Sequence, residues 1–553
     1  MKSHLLAWSL IVCCCCSAQT TRNAMVVSAK KEASDIGAQV MKDGGNAFDA
    51  MIATQLALAV AYPYAGNISG GGFMVYRLAN GQTGTLDFRE TAPKAAHRDM
   101  FLDTNGNVIQ GKSTETALSV GVPGSVAAIF DVHAAFGTIP IKKLFGPAIL
   151  LARNGIVLSE KDIEHIRQNQ ADIIRLNGDK TLYAQGYQTG DVVKFHALAK
   201  TLERIAKYGR SEFYEGETAK KLIAFLNRKG GVMTVSDLKH YKTKWRDPIV
   251  FDYKDLRIVT MGPPSSGGVC LAQIFAMISP YDLRDLGHNS EKYVQLLTEA
   301  ERRSYADRNH FLGDPDFTHV PVKQITEGEY LKQRMRSFSF DKATASSEVS
   351  HGNIAFSESD ETTHYSIVDQ FGNAVSVTTT LNGAYGSKIY CDELGFFLNN
   401  EMDDFSAKSG VPNYFGLTGS KANAIAPGKR MLSSMTPTIV EKDKQLYMVL
   451  GTPGGSTIIT SVLQTILNVS EFGMGMQQAV DAKRLHHQWL PDIVLSEPGA
   501  LTVEQVKSLT AKGYKIDERT FSIIGKVDAI LIRPDGTKEA GADKRGNDAA
   551  AGF

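Results

Sequence analysis

Cysteine is scarce in this 553-residue chain, and most of it lies in one place. Four of the six cysteines occupy residues 13–16, which leaves Cys270 and Cys391 for the rest of the sequence. These two residues lie far apart, and neither belongs to a CxxC pair. Disulfide frameworks need several cysteines, and thiol redox sites and zinc ribbons need CxxC pairs. The sequence therefore argues against these classes and indicates two packed thiols.

An excess of charge of one sign is also missing. Lysine and arginine total 60, aspartate and glutamate total 59, and the net charge is +1. A protein that binds nucleic acid or an anionic membrane through its overall charge carries a large positive excess. With 43% hydrophobic and 22% charged residues, the composition is instead that of an ordinary globular protein, and no nucleic acid partner is expected.

The two long apolar stretches, residues 5–16 and 47–61, are shorter than the roughly 20 residues of a membrane-spanning helix. The first follows a positively charged start and precedes the small residues "CSA" before Gln19. This pattern predicts a signal peptide over residues 1–18 and an exported, periplasmic or secreted protein. Lipidation of Cys13 is the alternative, although the valine before it fits a lipobox poorly.

Several chemistry-bearing motifs are absent. The chain contains no HExxH, no GxSxG and no Walker sequence. The segment "DTNGNVIQG" from Asp103 imitates a calcium loop, but its glycine is misplaced and the closing glutamate is missing. His486 and His487 are adjacent, so their rings point to different sides of the backbone, and we predict a structural role for them. No metal and no cofactor are expected.

Helical and strand patterns divide the chain into two parts. Residues 113–340 have a mostly helical pattern, whereas residues 362–460 read as a series of strands. Residues 47–61 are apolar almost all round, which is typical of a buried core helix. No repeat and no flexible linker separates these parts. The sequence therefore predicts one large α+β body.

The segment "TTHYSIVDQFGNAVSVTTTLNG", which starts at Thr362, predicts a β-hairpin with strands over residues 363–368 and 374–381. A plain type I turn would set Thr362 opposite Thr379, whereas a one-residue bulge in the turn would set it opposite Thr380. Either register places two hydroxyls side by side. Threonine pairs of this kind also occur in ordinary sheets, so the hairpin alone does not establish any chemistry.

A threonine is a poor nucleophile unless a base lies close to it. One solution makes it the first residue of a chain, because its own α-amino group then acts as the base. For Thr362 this requires a cut of the preceding peptide bond. His364 is a second candidate base, although a histidine packed within a strand is the simpler interpretation.

The hairpin segment resembles the beginning of the small subunit of gamma-glutamyltranspeptidases, which are N-terminal-nucleophile hydrolases. The similarity continues through "NNEMDDFSAKSGVPN", "KRMLSSMTPTIV" and "GTPGGSTIITSVLQ". It also extends backward to "DGGNAFDA", "GNISGGGFMVY", "LDFRE", "PPSSGG" and "YADRNHFLGDPDF", in order and over nearly the whole chain. The resemblance implies a four-layer αββα sandwich with two stacked, mainly antiparallel sheets.

The resemblance also implies self-cleavage between Glu361 and Thr362. The products would be a helix-rich large subunit, residues 19–361, and a small subunit, residues 362–553, which form one intertwined domain as a heterodimer. Thr362 would be the nucleophile, and Thr380 would hydrogen-bond its hydroxyl. The oxyanion donors would be the backbone amides of Gly454 and Gly455.

The amino-acid end of a γ-glutamyl group is a zwitterion, so its pocket needs both charge signs. The resemblance assigns the α-carboxylate to Arg89, Ser433 and Ser434, where a guanidinium can hold two oxygens at once. It assigns the α-ammonium to Asn382, Glu401 and Asp404. The implied enzyme transfers the γ-glutamyl group of glutathione to water or to an amino acid or peptide acceptor.

Two other functions are compatible with parts of the sequence. A glutaryl-type cephalosporin acylase of the same superfamily accepts a side chain without the α-amino group, so it does not need Asp404, and its lid is often shortened. This chain retains Asp404 and the full lid segment "DDFSAKSGVPNYFG". A non-catalytic exported peptide-binding protein would not need the threonine pair. The chain departs from the family pattern at Phe415 (preceded by Tyr414), where tyrosine is usual, at Met431, where proline is usual, and at Thr457, where arginine is usual.

Overall fold

The computed structural model describes residues 19–350, 362–408, 413, 417, 421–518 and 523–553. The predicted signal peptide, Glu361 of the predicted cleavage site, and Tyr414 and Phe415 lie outside the described residues. Within the described ranges, no helix is both long enough and apolar enough to cross a membrane.

Most of the strands belong to two seven-stranded sheets. Numbered in chain order, the strands are β1 (Thr20–Thr21), β2 (Met25–Ser28), β3 (Gly71–Arg77), β4 (Thr83–Asp87), β5 (Ile156–Val157), β6 (Val192–Val193), β7 (Lys244–Arg246), β8 (Ile249–Tyr253), β9 (Leu256–Thr260), β10 (Thr363–Val368), β11 (Ala374–Thr380), β12 (Tyr390–Cys391), β13 (Phe396–Phe397), β14 (Thr438–Lys442), β15 (Gln445–Gly451), β16 (Leu485–His486), β17 (Val494–Ser496), β18 (Ile516–Glu518), β19 (Asp528–Ile532), β20 (Lys538–Ala542) and β21 (Ala549–Gly552).

The strand order is β21-β2-β10-β11-β3-β4-β7 in the first sheet and β1-β20-β19-β15-β14-β9-β8 in the second. Every neighbouring pair in both sheets is antiparallel. The sheets stack face to face through a buried apolar layer that includes Val27, Phe73, Val259, Ile439 and Val449. Burying one face of each sheet in this way supplies much of the hydrophobic stabilisation of the fold.

Helices cover the outer faces of both sheets. They are α1 (Lys31–Lys42), α2 (Ala47–Ala61), α3 (Ser125–Phe136), α4 (Ile141–Asn154), α5 (Glu160–Asn177), α6 (His196–Tyr208), α7 (Arg210–Tyr214), α8 (Glu217–Arg228), α9 (Val235–His240), α10 (Gly267–Ile278), α11 (Leu283–Leu286), α12 (Glu291–Phe311), α13 (Val322–Ile325), α14 (Gly328–Arg334), α15 (Thr457–Ser470), α16 (Met476–Asp481) and α17 (Val503–Ala511).

A layer of helices lies on each sheet, and further helices pack on these layers. Helices α1 and α2 pack on the first sheet, and α2 is buried along its whole length, as its apolar sequence predicts. A capping box at Asn46 and Asp49 satisfies the first amides of α2. Helices α10, α15 and α16 pack on the second sheet, and α12 lies against α10. The predicted αββα sandwich with two antiparallel sheets is thereby confirmed.

Both sheets combine strands that lie before and after residue 361. The first sheet inserts β10 and β11 between β2 and β3, and the second places β14 and β15 beside β9. The strands β7, β8 and β9 fall within residues 113–340, which the sequence pattern marks as mostly helical. Each of these runs is only 3 or 5 residues long, too short for the pattern to separate a strand from the helices around it. The division into two subunits stays a prediction.

Candidate active site

The candidate site residues come from one end of the stacked sheets. In the first sheet, β10 begins where β11 ends and β3 begins, and β4 ends beside them. In the second sheet, β14 begins where β15 ends. Because neighbouring strands run in opposite directions, these six strand termini meet at the same end of the sandwich. The segments at these termini carry the predicted nucleophile, the glycine pair, the serine pair and Arg89, whereas Glu401 and Asp404 follow β13.

The turn of the β10–β11 hairpin is bulged. The Asp369 carboxylate accepts hydrogen bonds from the backbone amides of Phe371 and Asn373 at 2.9 and 2.8 Å. Gly372 has a φ of +94°, a conformation that favours glycine. These two features absorb the extra residue of the bulge and fix the register of the strands.

The bulged register brings the two predicted catalytic threonines together. Thr363 pairs with Thr379, so Thr362 lies opposite Thr380, and their hydroxyl oxygens are 3.5 Å apart. The Thr380 hydroxyl also accepts a hydrogen bond from the backbone N–H of Asn382 at 2.7 Å. Both threonine side chains are buried. The arrangement is that of a hydroxyl pair shielded from bulk water.

The remaining polar side chains of the hairpin form structural contacts. Thr379 donates to the carbonyl of Gly71 at 2.9 Å. The ring nitrogens of His364 contact the hydroxyls of Thr378 at 2.9 Å and Ser366 at 3.1 Å. Burial lowers the pKa of His364 to about 3. His364 is therefore a neutral, packed strand histidine, which confirms the simpler interpretation.

Gly454 and Gly455 form the turn between β15 and α15, and both adopt positive φ, +134° and +52°. Side chains would be strained there, and the glycines leave the turn open to a close approach. Among the described residues, neither of their backbone N–H groups has an acceptor. The turn lies at the N-terminus of the 14-residue helix α15, where the helix dipole is positive. This geometry suits the stabilisation of an oxyanion.

Arg89 follows β4 and lies at the centre of a buried charge cluster. Its two terminal nitrogens contact Glu401 and Asp404 separately, and Glu90 lies 3.6 Å away. Its Nε donates to the carbonyl of Met431 at 3.4 Å. The guanidinium is therefore shared between two carboxylates in the structure.

Burial makes these carboxyl groups hard to ionise. Burial raises the pKa of Glu401 well above its usual range. Arg89 lowers this pKa, whereas Glu90 and Asp404 raise it further. Burial also raises the pKa of Asp404 against the opposing effect of Arg89. The pKa of Glu90 rises to about 8, again chiefly through burial. A bound ammonium group would favour the ionised forms of these carboxyls.

Ser433 and Ser434 lie on the segment that leads into β14, held against the loop before α10. The backbone N–H of Ser433 donates to the carbonyl of Pro264 at 2.9 Å, and Ser266 donates twice to the carbonyl of Ser433. The Ser433 hydroxyl accepts from the backbone N–H of Met435 at 3.1 Å. The Ser434 hydroxyl accepts from another side chain, that of Arg308, at 3.0 Å.

Asn382 links the hairpin to the acidic segment. It has a φ of +76°, and its side-chain amide donates to the carbonyl of Asn400 at 3.1 Å. Asn400 in turn accepts a hydrogen bond from the backbone N–H of Gly383 at 2.9 Å. The chain is thereby turned so that Asn382 lies between Thr380 and the segment that carries Glu401 and Asp404.

A small cavity joins these groups. Its volume is about 20 Å³, enough for about one water molecule, and the predicted residues that line it are Arg89, Thr362, Thr380, Asn382, Asp404, Ser433, Ser434 and Gly455. Two predicted residues, Glu401 and Gly454, are not among those that line the cavity. Glu401 contacts the lining residue Arg89, and Gly454 directly precedes the lining residue Gly455. A larger groove, about 900 Å³, opens beside Asp369 at the other end of the hairpin and contains none of the predicted site residues.

Sequence reasoning missed four residues that line the cavity. They are Arg308, Leu417, Met435 and Ile458. Arg308 lies within the block "YADRNHFLGDPDF", which carried part of the family resemblance but no predicted role. Nothing in the sequence distinguishes it from the other arginines of α12, because burial depends on the packing of that helix.

Two departures from the family pattern fall within the described residues. Met431 is fully buried in an apolar cluster with Met402, Phe405 and Ile425. Its segment is therefore held in place without a proline. The Thr457 hydroxyl donates to the carbonyl of Gly454 at 2.8 Å, so it contacts the glycine turn directly.

Comparison with known proteins identifies close relatives. A family model described as gamma-glutamyltranspeptidase matches residues 33–553. The glutathione hydrolase proenzyme of Escherichia coli (strain K12) is 42% identical over 537 residues, covering 96% of this chain and 92% of the relative. That of Pseudomonas sp. (strain A14) is 45% identical over 497 residues, covering 89% and 86%. The acylase ACY 1 proenzyme of Pseudomonas sp. (strain V22) is 34% identical over 524 residues, covering 93% and 90%.

Solved structures show the same fold. The cephalosporin acylase from Bacillus halodurans has a TM-score of 0.86 at 23% identity and covers 100% of this chain and 99% of its own. A chain of the Helicobacter pylori gamma-glutamyltranspeptidase has a TM-score of 0.59 at 39% identity, covering 60% of this chain and 97% of its own. At 23% identity, the acylase likeness speaks for the fold alone.

Proposed function

The chain belongs to the gamma-glutamyltranspeptidase family, and from this premise we propose that it cuts itself before Thr362 and then cleaves γ-glutamyl amides through an acyl-enzyme on that residue. It is an enzyme of γ-glutamyl chemistry, and glutathione is its expected donor substrate. Its relatives at 42% and 45% identity carry the name glutathione hydrolase proenzyme. The hypothesis of a non-catalytic peptide-binding protein is therefore wrong.

One observation carries the proposed mechanism. A single cavity brings together the hydroxyl pair of Thr362 and Thr380, the turn at Gly455 and the charge pair of Arg89 and Asp404. A nucleophile, an oxyanion donor and a pocket for a zwitterion are the three parts that an acyl transfer from a γ-glutamyl amide requires.

Self-cleavage begins with attack by the Thr362 hydroxyl on the carbonyl carbon of Glu361. The peptide nitrogen leaves as the α-amino group of Thr362, and the two residues are then joined by an ester. Water hydrolyses that ester and leaves a carboxylate on Glu361. The new α-amino group lies on the same residue as the nucleophilic hydroxyl and serves as its base. The fragments 19–361 and 362–553 remain together as a heterodimer, because both sheets contain strands from each.

In the mature enzyme, the Thr362 hydroxyl attacks the γ-carbonyl of the donor while its proton passes to the α-amino group. The developing oxyanion is stabilised by the backbone N–H groups of Gly454 and Gly455, assisted by the positive end of α15. The leaving amine takes the proton, and water or an acceptor amine then resolves the acyl-enzyme. The Thr380 hydroxyl, at 3.5 Å from Thr362, orients the attacking oxygen.

Binding of the donor exchanges ion pairs. In the structure Arg89 contacts Glu401 and Asp404, and the cavity holds space for about one water molecule. A γ-glutamyl zwitterion carries both charges on one carbon. Its ammonium therefore takes the place of the Arg89 guanidinium beside Glu401 and Asp404, and its α-carboxylate takes the place of those two side chains beside Arg89. The exchange gives Arg89 and the two carboxylates new partners of opposite charge, which favours this ligand over one with a single charge.

The enzyme acts outside the cytoplasm. The supporting observation is the leader pattern of residues 1–18, which precedes Gln19. We expect the large fragment from an extracytoplasmic fraction to begin at Gln19 when its N-terminus is sequenced. A fragment that begins at Met1, or one that carries lipid at Cys13, would contradict this expectation.

A glutaryl-type acylase is the competing function, since the acylase ACY 1 proenzyme is 34% identical. The buried pair of Asp404 and Arg89 favours γ-glutamyl donors, because a glutaryl group has no ammonium for Asp404 to bind. The decisive measurement is anilide release from γ-glutamyl anilide and from glutaryl anilide, each with and without an acceptor dipeptide. Preference for the glutaryl donor would overturn the proposal, and stimulation by the dipeptide would establish transfer to peptide acceptors.

Replacing Thr457 with valine should lower kcat about 5- to 10-fold and leave KM unchanged. The Thr457 hydroxyl donates to the carbonyl of Gly454, and that carbonyl belongs to the same peptide unit as the N–H of Gly455. Losing a neutral hydrogen bond of about 1 kcal/mol loosens this unit, and the oxyanion exists only after attack. The matched control is Thr457→Ser, which keeps the hydroxyl and should retain kcat. An unchanged kcat in the valine variant would show that the contact does not orient the turn.

A further inference from the structure

Arg308, on helix α12, is a buried cation that contacts no carboxylate among the described residues. It is 4% exposed, and its guanidinium contacts only neutral acceptors. Its Nε donates to the hydroxyl of Ser266 at 3.1 Å, one terminal nitrogen donates to the side chain of Asn309 at 3.0 Å, and the other donates to Ser434 at 3.0 Å. The residue also lines the cavity that contains Thr362.

The neighbouring arginines of α12 are compensated in the usual way. Arg303 forms an ion pair with Glu299, and Arg302 forms one with Asp492. A buried charge that no counter-ion contacts is costly, and buried charges in proteins are normally paired. The Asp404 carboxylate offsets part of the charge of Arg308 without contacting it. An anionic group in the adjoining cavity would complete the pairing.

The charge balance of the cavity leads to the same conclusion. Arg89 contacts both Glu401 and Asp404, and Glu90 lies 3.6 Å from it. When these carboxyls are ionised, a single guanidinium is outnumbered, and the field would repel the α-carboxylate of a donor substrate. A second cation beside the cavity offsets this repulsion. Arg308 is the one that the described cavity lining provides.

The contact with Ser434 also sets the direction of a hydrogen bond. Because the Ser434 oxygen accepts from Arg308, its hydroxyl hydrogen points away from the guanidinium. Ser434 has no acceptor for that hydrogen among the described residues. Ser433, whose oxygen accepts from the backbone N–H of Met435, is arranged in the same way. Both hydroxyls are thus prepared as donors toward the cavity.

We propose that Arg308 is a positioning residue for the donor's α-carboxylate: it directs the Ser434 hydroxyl to that carboxylate and supplies the second positive charge that the carboxylate requires. This inference rests on the proposed function, since it assumes a γ-glutamyl donor in the cavity. Helix α12 then contributes to substrate specificity through Arg308, in addition to packing against α10.

The test compares two donors that differ only in the α-carboxylate, γ-glutamyl anilide and 4-aminobutanoyl anilide. In Arg308→Met we expect kcat/KM for γ-glutamyl anilide to fall about 30-fold, mainly through KM, because a hydrogen bond and a charge are lost on an anionic group. For 4-aminobutanoyl anilide, which has no α-carboxylate, we expect a change of less than about 3-fold by the same reasoning. Equal losses for both donors would overturn the inference and leave Arg308 a structural residue.

Arg308→Lys keeps the charge and decides the question if the methionine variant does not fold or mature. Lysine loses the fork that reaches Ser266 and Ser434, so discrimination between the two donors should fall about 5-fold. Ser434→Ala and Ser433→Ala supply a matched pair. Added to Arg308→Lys, the Ser434 change should cost less than it does alone, whereas the Ser433 change should cost as much as it does alone.

Additive losses with both serine variants would contradict the coupling of Arg308 to Ser434. The proposed function fails separately, and would be recognised by a wild-type enzyme that does not turn over γ-glutamyl anilide. An active wild-type enzyme whose Arg308 variants keep the donor ratio refutes only the role of Arg308.

Discussion

Thr362→Ala should remain a single full-length chain and should lose at least about 10⁴-fold in activity toward γ-glutamyl anilide, because removing a catalytic nucleophile leaves only binding and oxyanion stabilisation. One hydroxyl performs both reactions in the proposed mechanism, so cleavage and turnover should disappear together. A denaturing gel follows the two fragments over days, and anilide release measures turnover on the same sample.

The neighbouring threonine supplies the control. Thr363 is also buried and lies one residue further along the same hairpin, in β10. Thr363→Ala removes a hydroxyl of the same kind and should mature and turn over substrate normally. Thr362→Ser should mature slowly and keep part of the activity, since a serine hydroxyl retains the chemistry. A Thr362→Ala chain that still divides into two fragments would move the cleavage to another residue.

The hairpin illustrates how far the sequence leads. Its strands are predicted within one residue, because the alternation of residues 363–368 and 374–381 and the turn residues point to the same structure. The sequence is compatible with two registers. The turn at Asp369 decides it, since the carboxylate accepts two backbone amides and Gly372 has a positive φ. Such contacts depend on conformation and cannot be read from residue order.

The contacts within the charged pocket, unlike the strands of the hairpin, could not be predicted from the sequence. The resemblance named Arg89, Glu401 and Asp404 as ligands of the two ends of a substrate, and the structure shows that they contact one another. A list of residues does not contain this pairing, because it arises where the segment after β4 meets the segment after β13. Arg308 likewise could not be identified from the sequence. Its burial and its neutral partners follow from the packing of α12, for which the local sequence gives no signal.

Asp404→Asn should lower kcat/KM for γ-glutamyl anilide about 100-fold and leave glutaryl anilide little affected, because truncating the charge of one partner of a buried pair costs several kcal/mol. Asparagine keeps the size of the side chain and an oxygen that faces Arg89. What it removes is the negative charge that the donor's α-ammonium would contact. The glutaryl donor has no ammonium, so its turnover does not depend on that charge. The ratio of kcat/KM for the two donors is the measurement.

Asp403 is the control that distinguishes a charge in contact with the pocket from a charge elsewhere in the same segment. Asp403 accepts a hydrogen bond from the Ser113 hydroxyl at 2.6 Å, in the same short turn as Asp404. Asp403→Asn therefore changes the net charge equally and should leave the donor ratio unchanged. If Asp404→Asn also left the ratio unchanged, its contact with Arg89 would be structural, and the preference for a γ-glutamyl group would have to come from Glu401 and Asn382. A shift of the ratio in the Asp404 variant alone would instead locate the distinction between a γ-glutamyl enzyme and a glutaryl acylase in one buried charge.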